Sequence, residues 1–283
     1  MTGPQFAIGS PGPPTKAPMS DPHPIRFEDG AGYERMMGTW SRMVGDVFLD
    51  WLALPPGLAW VDVGCGNGAF TQLVVDRCQP ASVDGFDPSE AQLAFARGRP
   101  AASGTRFQQG DAMAAPYADR SFDSAVMALV LFFVPEPARG LEEMIRVTKP
   151  GGMVSAYCWD VFGGVDGFPL GGLTQGINDM GLKAVFPPSA EISRVNAMRD
   201  LWRSAGLQDV EERTITVSRS FDNFDELWSV SILGSTVKVR LASMSPEQIE
   251  DLKKRVSDFY PAGADGRITY SARANAVKGR LAA

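Results

Sequence analysis

An α/β fold with a parallel sheet covered on both faces is predicted for this chain of 283 residues by three observations. An apolar stretch ending in an acid and one further residue, Trp60-Val61-Asp62-Val63, runs straight into three alternating glycines, Gly64-Cys65-Gly66-Asn67-Gly68. A second stretch, Ser82-Val83-Asp84-Gly85-Phe86-Asp87, again ends in an acid about 20 residues later, where a ribose-binding carboxylate is expected. Strand-like and helix-like segments then alternate as far as Tyr157, a pattern that calls for crossover connections between parallel strands.

The glycine loop is the most informative segment. Glycine takes positive φ without penalty and lets a ligand approach the backbone, and the helix that follows offers free N–H groups at its start. The spacing alone is ambiguous, because Gly64, Gly66 and Ala69 also satisfy the dinucleotide pattern G-x-G-x-x-G/A. Context has to decide. A third short strand around Thr105–Gln108 ends at Gly110-Asp111, and a fourth, Phe122 to Phe133, is apolar throughout and stops at Pro135. Lys149-Pro150-Gly151-Gly152 turns the chain into a fifth strand, Met153 to Tyr157.

The flanks read differently. Residues 1–24 are rich in Pro and Gly with few large apolar side chains, which predicts a flexible extension. Residues 25–55 hold a helical pattern from Tyr33 to Leu52, with Trp40, Val44, Phe48 and Trp51 at helical intervals and Pro55-Pro56-Gly57 at its end. The predicted core is 56–159. Residues 160–194, with seven glycines and Phe162, Phe168 and Phe186, predict a mobile cap with an aromatic lining. Residues 195–283 complete the fold: a helix over 195–205, strands from Leu207 that close the sheet with an antiparallel end, a helix over 223–232 and an amphipathic helix over 246–259.

Composition excludes several functions. A net charge of −6 without a basic stripe disfavours nucleic acid as a partner. The longest apolar run, Ala125 to Val134, is far short of the ~20 residues of a membrane span, and the N-terminus lacks a signal-peptide pattern. Three well-separated cysteines form neither a disulfide framework nor a metal spacing, so no metal is expected and a reducing cytoplasm fits best.

Together, Asp62-x-Gly64-x-Gly66-x-Gly68, Asp87-Pro88-Ser89, Gly110-Asp111-Ala112, Ser121-Phe122-Asp123 and Lys149-Pro150-Gly151-Gly152 resemble, in order and spacing, the class I S-adenosylmethionine-dependent methyltransferases. The similarity is greatest to the branch that holds the ubiquinone and menaquinone biosynthesis enzymes and many small-molecule methyltransferases, and it covers roughly Tyr33 to Tyr157. It implies a Rossmann-like, doubly wound, mostly parallel seven-stranded sheet with an antiparallel C-terminal strand and a helical or loop cap. It also implies S-adenosylmethionine as cofactor, S-adenosylhomocysteine as product, and a small, apolar or aromatic acceptor.

Carried over by residue, the resemblance puts Gly64, Cys65, Gly66 and Gly68 beside the methionine moiety, with the Cys65 thiol a small filler. Asp62 orients the loop and the cofactor's ammonium, and Asp87 accepts from the ribose hydroxyls. Pro88 packs on adenine, Asp111 and the Ala112 N–H meet its polar edge, and Leu129 passes the methionine end. Tyr33 and Trp40 belong to a lid. Plainer readings stand beside these: Asp62 and Asp87 as helix caps, Asp111 as a turn acid, Leu129 and Trp40 as packing. No catalytic residue is singled out. The sole histidine, His23, lies in the N-terminal extension, and Phe132 stands where many relatives have His, so Tyr33, Tyr157 and Asp160 are the candidates for a base. Two other functions stay open, an NAD-dependent oxidoreductase and a cofactor-binding but catalytically silent partner protein. The acceptor, the atom methylated and the oligomeric state are not legible.

Overall fold

The computed structural model describes residues 34–283; Tyr33, His23 and the rest of the N-terminal extension lie outside the described residues. Seven strands form one sheet in the order β3-β2-β1-β4-β5-β7-β6: β1 (Ala59–Val63), β2 (Ser82–Asp87), β3 (Thr105–Gln109), β4 (Phe122–Ala128), β5 (Thr148–Trp159), β6 (Gln208–Phe221) and β7 (Ile268–Arg280). β1 pairs in parallel with β2 and β4, β2 with β3, and β4 with β5. β7 runs antiparallel to both neighbours, β5 and β6. The doubly wound sheet with an antiparallel C-terminal strand is therefore the observed fold. Its strand order reverses between β1 and β4, the position where open α/β sheets bind ligands at the carboxyl ends of their strands.

Helices cover both faces. On one lie α1 (Thr39–Leu52) and α2 (Ala69–Cys78), which pack on each other. Helix α1 buries Trp40, Val44 and Phe48, one helical stripe, over the sheet. Phe48 meets Tyr157 of β5 at 4.5 Å between ring centroids, and Trp40 meets Tyr270 of β7 at 5.0 Å. β7 accommodates α1 because Ala272, Ala274 and Ala276 follow Tyr270 at every second position, small side chains under large ones. The intervening Asn275 belongs to the opposite face, where its amide donates to Ser193 O at 2.9 Å. Here lie α4 (Pro137–Val147) and α6 (Val195–Ser204); in the chain α3 (Glu90–Arg97) precedes α4, and α5 (Gly171–Asp179) falls between α4 and α6. Trp202 of α6 is buried and donates its indole N–H to Val154 O of β5 at 3.0 Å.

Three elements differ from the sequence-based expectation. The fourth strand stops at Ala128 instead of running to Phe133; Leu129 turns to φ 63° and Leu131–Phe133 form a 3-10 turn. The expectation that Leu129 lies inside this strand is thereby corrected. The antiparallel strand that closes the sheet is Ile268–Arg280, with the segment from Leu207 forming the edge strand beyond it. Between β6 and β7, α7 (Phe224–Ser231) and α9 (Pro246–Phe259) match the two predicted helices, and α8 (Ser235–Ala242) was not anticipated. Helix α9 starts with a capping box, Ser245 and Gln248 bonding each other's backbone N–H.

Residues 160–194 are tied down by aromatic hydroxyls. Tyr270 donates to Pro169 O at 2.8 Å, while Tyr260 accepts from Gly172 N at 2.8 Å and donates to Val165 O at 3.2 Å. Among the described residues no helix is long and apolar enough to cross a membrane.

Candidate functional site

The glycine loop leaves β1 and is fixed before α2 begins. Gly64 N and Cys65 N both donate to Phe86 O of β2, at 2.8 and 3.0 Å, and Gly68 N closes back on Cys65 O at 2.9 Å. Gly64, Gly66 and Gly68 all have positive φ, at 73°, 51° and 76°, but the space around them differs. A Cβ on Gly64 would lie 2.5 Å from Val130 Cγ1, and one on Gly68 would lie 3.0 Å from Ala96 Cβ. A Cβ on Gly66 would meet no described residue within 4 Å. Gly64 and Gly68 are therefore required by packing inside the protein, whereas Gly66 faces open space.

Two acids bracket the loop. Asp62 is 1% exposed; its Oδ2 accepts from the Thr71 hydroxyl at 2.6 Å, and its buried Oδ1 has no partner among the described residues. Burial pushes its pKa up from 3.8 to about 7, the Thr71 hydrogen bond works against this, and the charge of Asp87 adds to it. Asp87 at the end of β2 accepts from Gly66 N at 3.0 Å through one carboxylate oxygen and from Ser89 N at 2.9 Å through the other. Its pKa is also raised, by burial, with the two backbone N–H groups opposing the shift. Each Asp87 oxygen spends one acceptor position on the loop and keeps another. The acid thus holds the Gly66 turn and remains able to accept from a ligand.

The other sequence-predicted positions are spread along the same carboxyl-end rim. Pro88 follows Asp87, and its carbonyl accepts from Gln109 Nε2 at 2.9 Å. Asp111 is exposed, and Oδ1 accepts from Met113 N at 2.8 Å across Ala112, a turn held by its own side chain. Leu129 is buried, and its N–H donates to Tyr157 O at 2.8 Å. Cys65 is buried against Gly85, whose ideal Cβ would lie 3.0 Å from Sγ. Its thiol is pushed strongly up by burial, with Asp62 and Asp87 adding to the shift, so it is a filler and no nucleophile.

The base candidates fare differently. Tyr33 lies outside the described residues. Tyr157 is 1% exposed among Phe48 and Phe70, with its hydroxyl directed at Gly45 of α1, so its surroundings are those of a core aromatic. Asp160 faces Arg273 at 3.4 Å and its backbone carbonyl accepts from Gly163 N at 3.0 Å, which stabilises the first turn of the cap. Phe132 is buried and meets Phe133 at 4.5 Å between ring centroids, the planes tilted by 31°. Trp40 is 1% exposed against Tyr270, as its packing reading expects.

Sequence reasoning missed a network above the loop. A single π-helical turn, Glu34–Gly38, forms a strap ahead of α1. Glu34 accepts from Asn67 Nδ2 at 3.0 Å and from Arg99 at 2.7 Å, while Arg99 Nε donates to Asn67 O at 2.6 Å. Asn67 Oδ1 also accepts from Ala69 N at 3.2 Å at the start of α2. π-turns gather at functional sites, but their hydrogen-bond spacing leaves no mark in the residue pattern that could have announced the strap. Val130, packed on Gly64, was missed as well.

A crevice built this way is that of the α/β proteins which take adenosine-containing cofactors at a sheet's switch point. Residues 61–156 match the family described as "Methyltransferase domain", so the resemblance in the motifs rests on a family match over that segment. It is 40% identical over 104 residues to demethylmenaquinone methyltransferase of Desulfitobacterium hafniense, covering 35% of this chain and 41% of that protein. It is 31% identical over 229 residues to 2-methyl-6-phytyl-1,4-hydroquinone methyltransferase 1, chloroplastic, of Oryza sativa subsp. japonica, covering 78% and 64%. The matches thus span roughly half of these curated relatives' own lengths. Among solved structures the fold is shared with the YcgJ protein of Bacillus subtilis, at TM-score 0.54 and 15% identity over 85% of this chain and 99% of that one. It is also shared with Haemonchus contortus phosphoethanolamine N-methyltransferase 2 in complex with S-adenosylmethionine, at TM-score 0.52 and 15% identity over 89% and 56%.

Proposed function

We propose that this protein is an S-adenosylmethionine-dependent methyltransferase acting on a small, apolar or aromatic metabolite, with hydroquinone-type rings the first class to try. The observation that carries this reading is the orphaned Oδ1 of Asp62, a buried carboxylate oxygen under the glycine loop that has no hydrogen-bond donor among the described residues. A cofactor with an ammonium group and a ribose fits the three features present: a donor-seeking acid at Asp62, open space over Gly66, and spare acceptor positions on Asp87. Pro88, Asp111 and the Ala112 N–H extend the same rim toward an adenine, and Leu129 borders its methionine end. Residues 56–159 form the cofactor core, the strap and α1 its lid, and 160–194 with the segment between β6 and β7 the acceptor side. The curated relatives named for menaquinone and hydroquinone methylation support the acceptor class.

When bound, the cofactor supplies an electrophilic methyl group on sulfonium, and the protein's contribution is to orient and enclose it. Gly64 and Gly68 fix the loop by packing, Gly66 admits close approach, and Asp62 holds a positive charge at a buried point. Orientation of this kind accounts for large accelerations without a covalent intermediate. With Phe132 at the position where the resemblance expects a His, and the sole histidine, His23, outside the described residues, an acceptor that ionises readily is the one this site suits.

Calorimetric titration with S-adenosylmethionine, S-adenosylhomocysteine and NADH in parallel tests the reading. Binding of the two adenosyl ligands alone is the expected result; binding of NADH alone, or of none, overturns it. Asp87→Ala should weaken S-adenosylhomocysteine by about 10- to 100-fold, the 1.5 to 3 kcal/mol of a charged hydrogen bond, while the protein stays folded. An unchanged Kd would remove Asp87 from the ribose role.

A further inference from the structure

β6 ends at the same edge of the sheet as the glycine loop, because both β5 and β6 are antiparallel to β7. On its inward face, Ile215, Val217 and Phe221 are buried opposite Ala274, Ala272 and Ile268. Arg219 interrupts this apolar row, paired across the ladder with Tyr270. Its guanidinium lies 4.5 Å from the centre of the Phe221 ring, and among the described residues its one hydrogen bond is a long one, Nη1 donating to Met36 O at 3.4 Å. Among the described residues it pairs with no carboxylate. Burial lowers its pKa below the ordinary arginine value, the opposite of Arg146, which hydrogen bonds to Glu143 and Asp119 push up.

Its neighbours locate it. Met36 sits in the strap two residues after Glu34, the residue bonded to Asn67 of the glycine loop. Gly234, whose ideal Cβ would lie 3.1 Å from Met36 Sδ and 3.6 Å from Leu170 Cδ1, brings the β6–β7 insertion and the cap to the same point. Strap, cap and insertion therefore converge beside a half-buried cation with aromatic walls, one strap turn from the cofactor loop. A guanidinium carries five N–H donors in a fork that matches a planar oxyanion, and the described residues use one of them at Arg219.

Resting on the methyltransferase reading above, we infer that Arg219 is a specificity residue that binds an oxyanion carried on the acceptor's aromatic body, supplied by a carboxylate substituent or an ionised ring hydroxyl. The probes are 2-naphthoate, its neutral isostere 2-naphthamide, and 2-naphthol, each titrated into the full-length protein saturated with S-adenosylhomocysteine. The wild type should bind 2-naphthoate at least about tenfold more tightly than the amide, as one charge-assisted pair allows. Arg219→Gln should bring that ratio to near one, and Arg219→Lys should keep part of it. If the ring hydroxyl is the natural source, 2-naphthol should tighten as pH rises toward its own pKa in the wild type and not in Arg219→Gln. Equal affinities for naphthoate and naphthamide in the wild type, no binding of any probe, or a ratio that survives Arg219→Gln would each overturn the assignment. So would an unchanged ratio accompanied by self-association of Arg219→Gln, since an inward charge on an edge strand also blocks edge pairing. Failure of S-adenosylhomocysteine to bind would instead strike the cofactor reading, leaving the naphthoate ratio to judge Arg219 separately.

Discussion

Asp62→Asn should make the protein more stable near and above neutral pH and at the same time cripple cofactor binding. With its folded pKa raised from 3.8 to about 7, Asp62 keeps in the folded state a proton that the unfolded chain has released. The stability this gives is complete below pH 3.8 and lost as pH rises to about 7, where an ionised carboxylate must sit fully buried beside one hydroxyl. An asparagine side chain has no such dependence. The gap in stability between variant and wild type should therefore widen across that window, by on the order of 4 kcal/mol for a shift of about three units, and then level off. Because the substituted amide would itself lack one partner, the net gain near pH 8 should be about 1 to 3 kcal/mol, or several degrees in Tm. Thermal melts of both proteins from pH 4 to 8 measure this; parallel curves would mean that Asp62 is not desolvated as described.

The same shift governs ligand binding. A cationic ligand group beside Asp62 needs the ionised acid, so S-adenosylhomocysteine affinity should fall about tenfold per pH unit below 7, with proton release on binding at pH 6. Calorimetry in two buffers of different ionisation enthalpy reads the proton directly. No release would show that the ligand's ammonium is held elsewhere. Asp62→Asn should flatten the pH profile at the weak-binding level.

Gly64→Ala and Gly66→Ala should separate folding from binding within one loop. At Gly64 a methyl group combines positive φ, worth roughly 1 to 2 kcal/mol, with a 2.5 Å approach to Val130 Cγ1, worth roughly 1 to 3 more. That variant should lose about 2 to 5 kcal/mol of stability in urea melts. Gly66→Ala meets no atom of the described residues within 4 Å and should lose only the backbone contribution, yet it points a methyl group into the space a cofactor would occupy. Its S-adenosylhomocysteine affinity should drop at least about tenfold with a nearly native melt. If Gly66→Ala binds normally, the open space above Gly66 is not the ligand's.

The loop and its two acids were legible because each is a local pattern. An apolar strand, an acid and closely spaced glycines specify their own turn, and Asp87 sits at a fixed interval downstream. Leu129 was misplaced because Phe122 to Phe133 is apolar without a break, so nothing in composition marks where extended backbone gives way to a left-handed residue and a 3-10 turn. β7 was overlooked for a related reason: its inward positions are largely alanines, which carry no strand preference until α1 packs on them. The Glu34–Asn67–Arg99 network could not be read at all. Its members lie 32 to 65 residues apart and come together only through the crossovers of the sheet.

The place of β7 between β5 and β6 also sets an order of assembly during synthesis. β6 touches no other strand, so its 14 residues cannot join the sheet until Ile268–Arg280 has left the ribosome. The helical stretch 222–267 is made in between, and at about 5 to 20 residues per second this takes several seconds. Throughout that interval the nascent chain carries an unpaired strand with Ile215, Val217 and Phe221 uncovered. The penultimate strand is thus the segment for which a holding chaperone would matter most, and it is captured in one step as the last strand arrives and joins it to the five already formed.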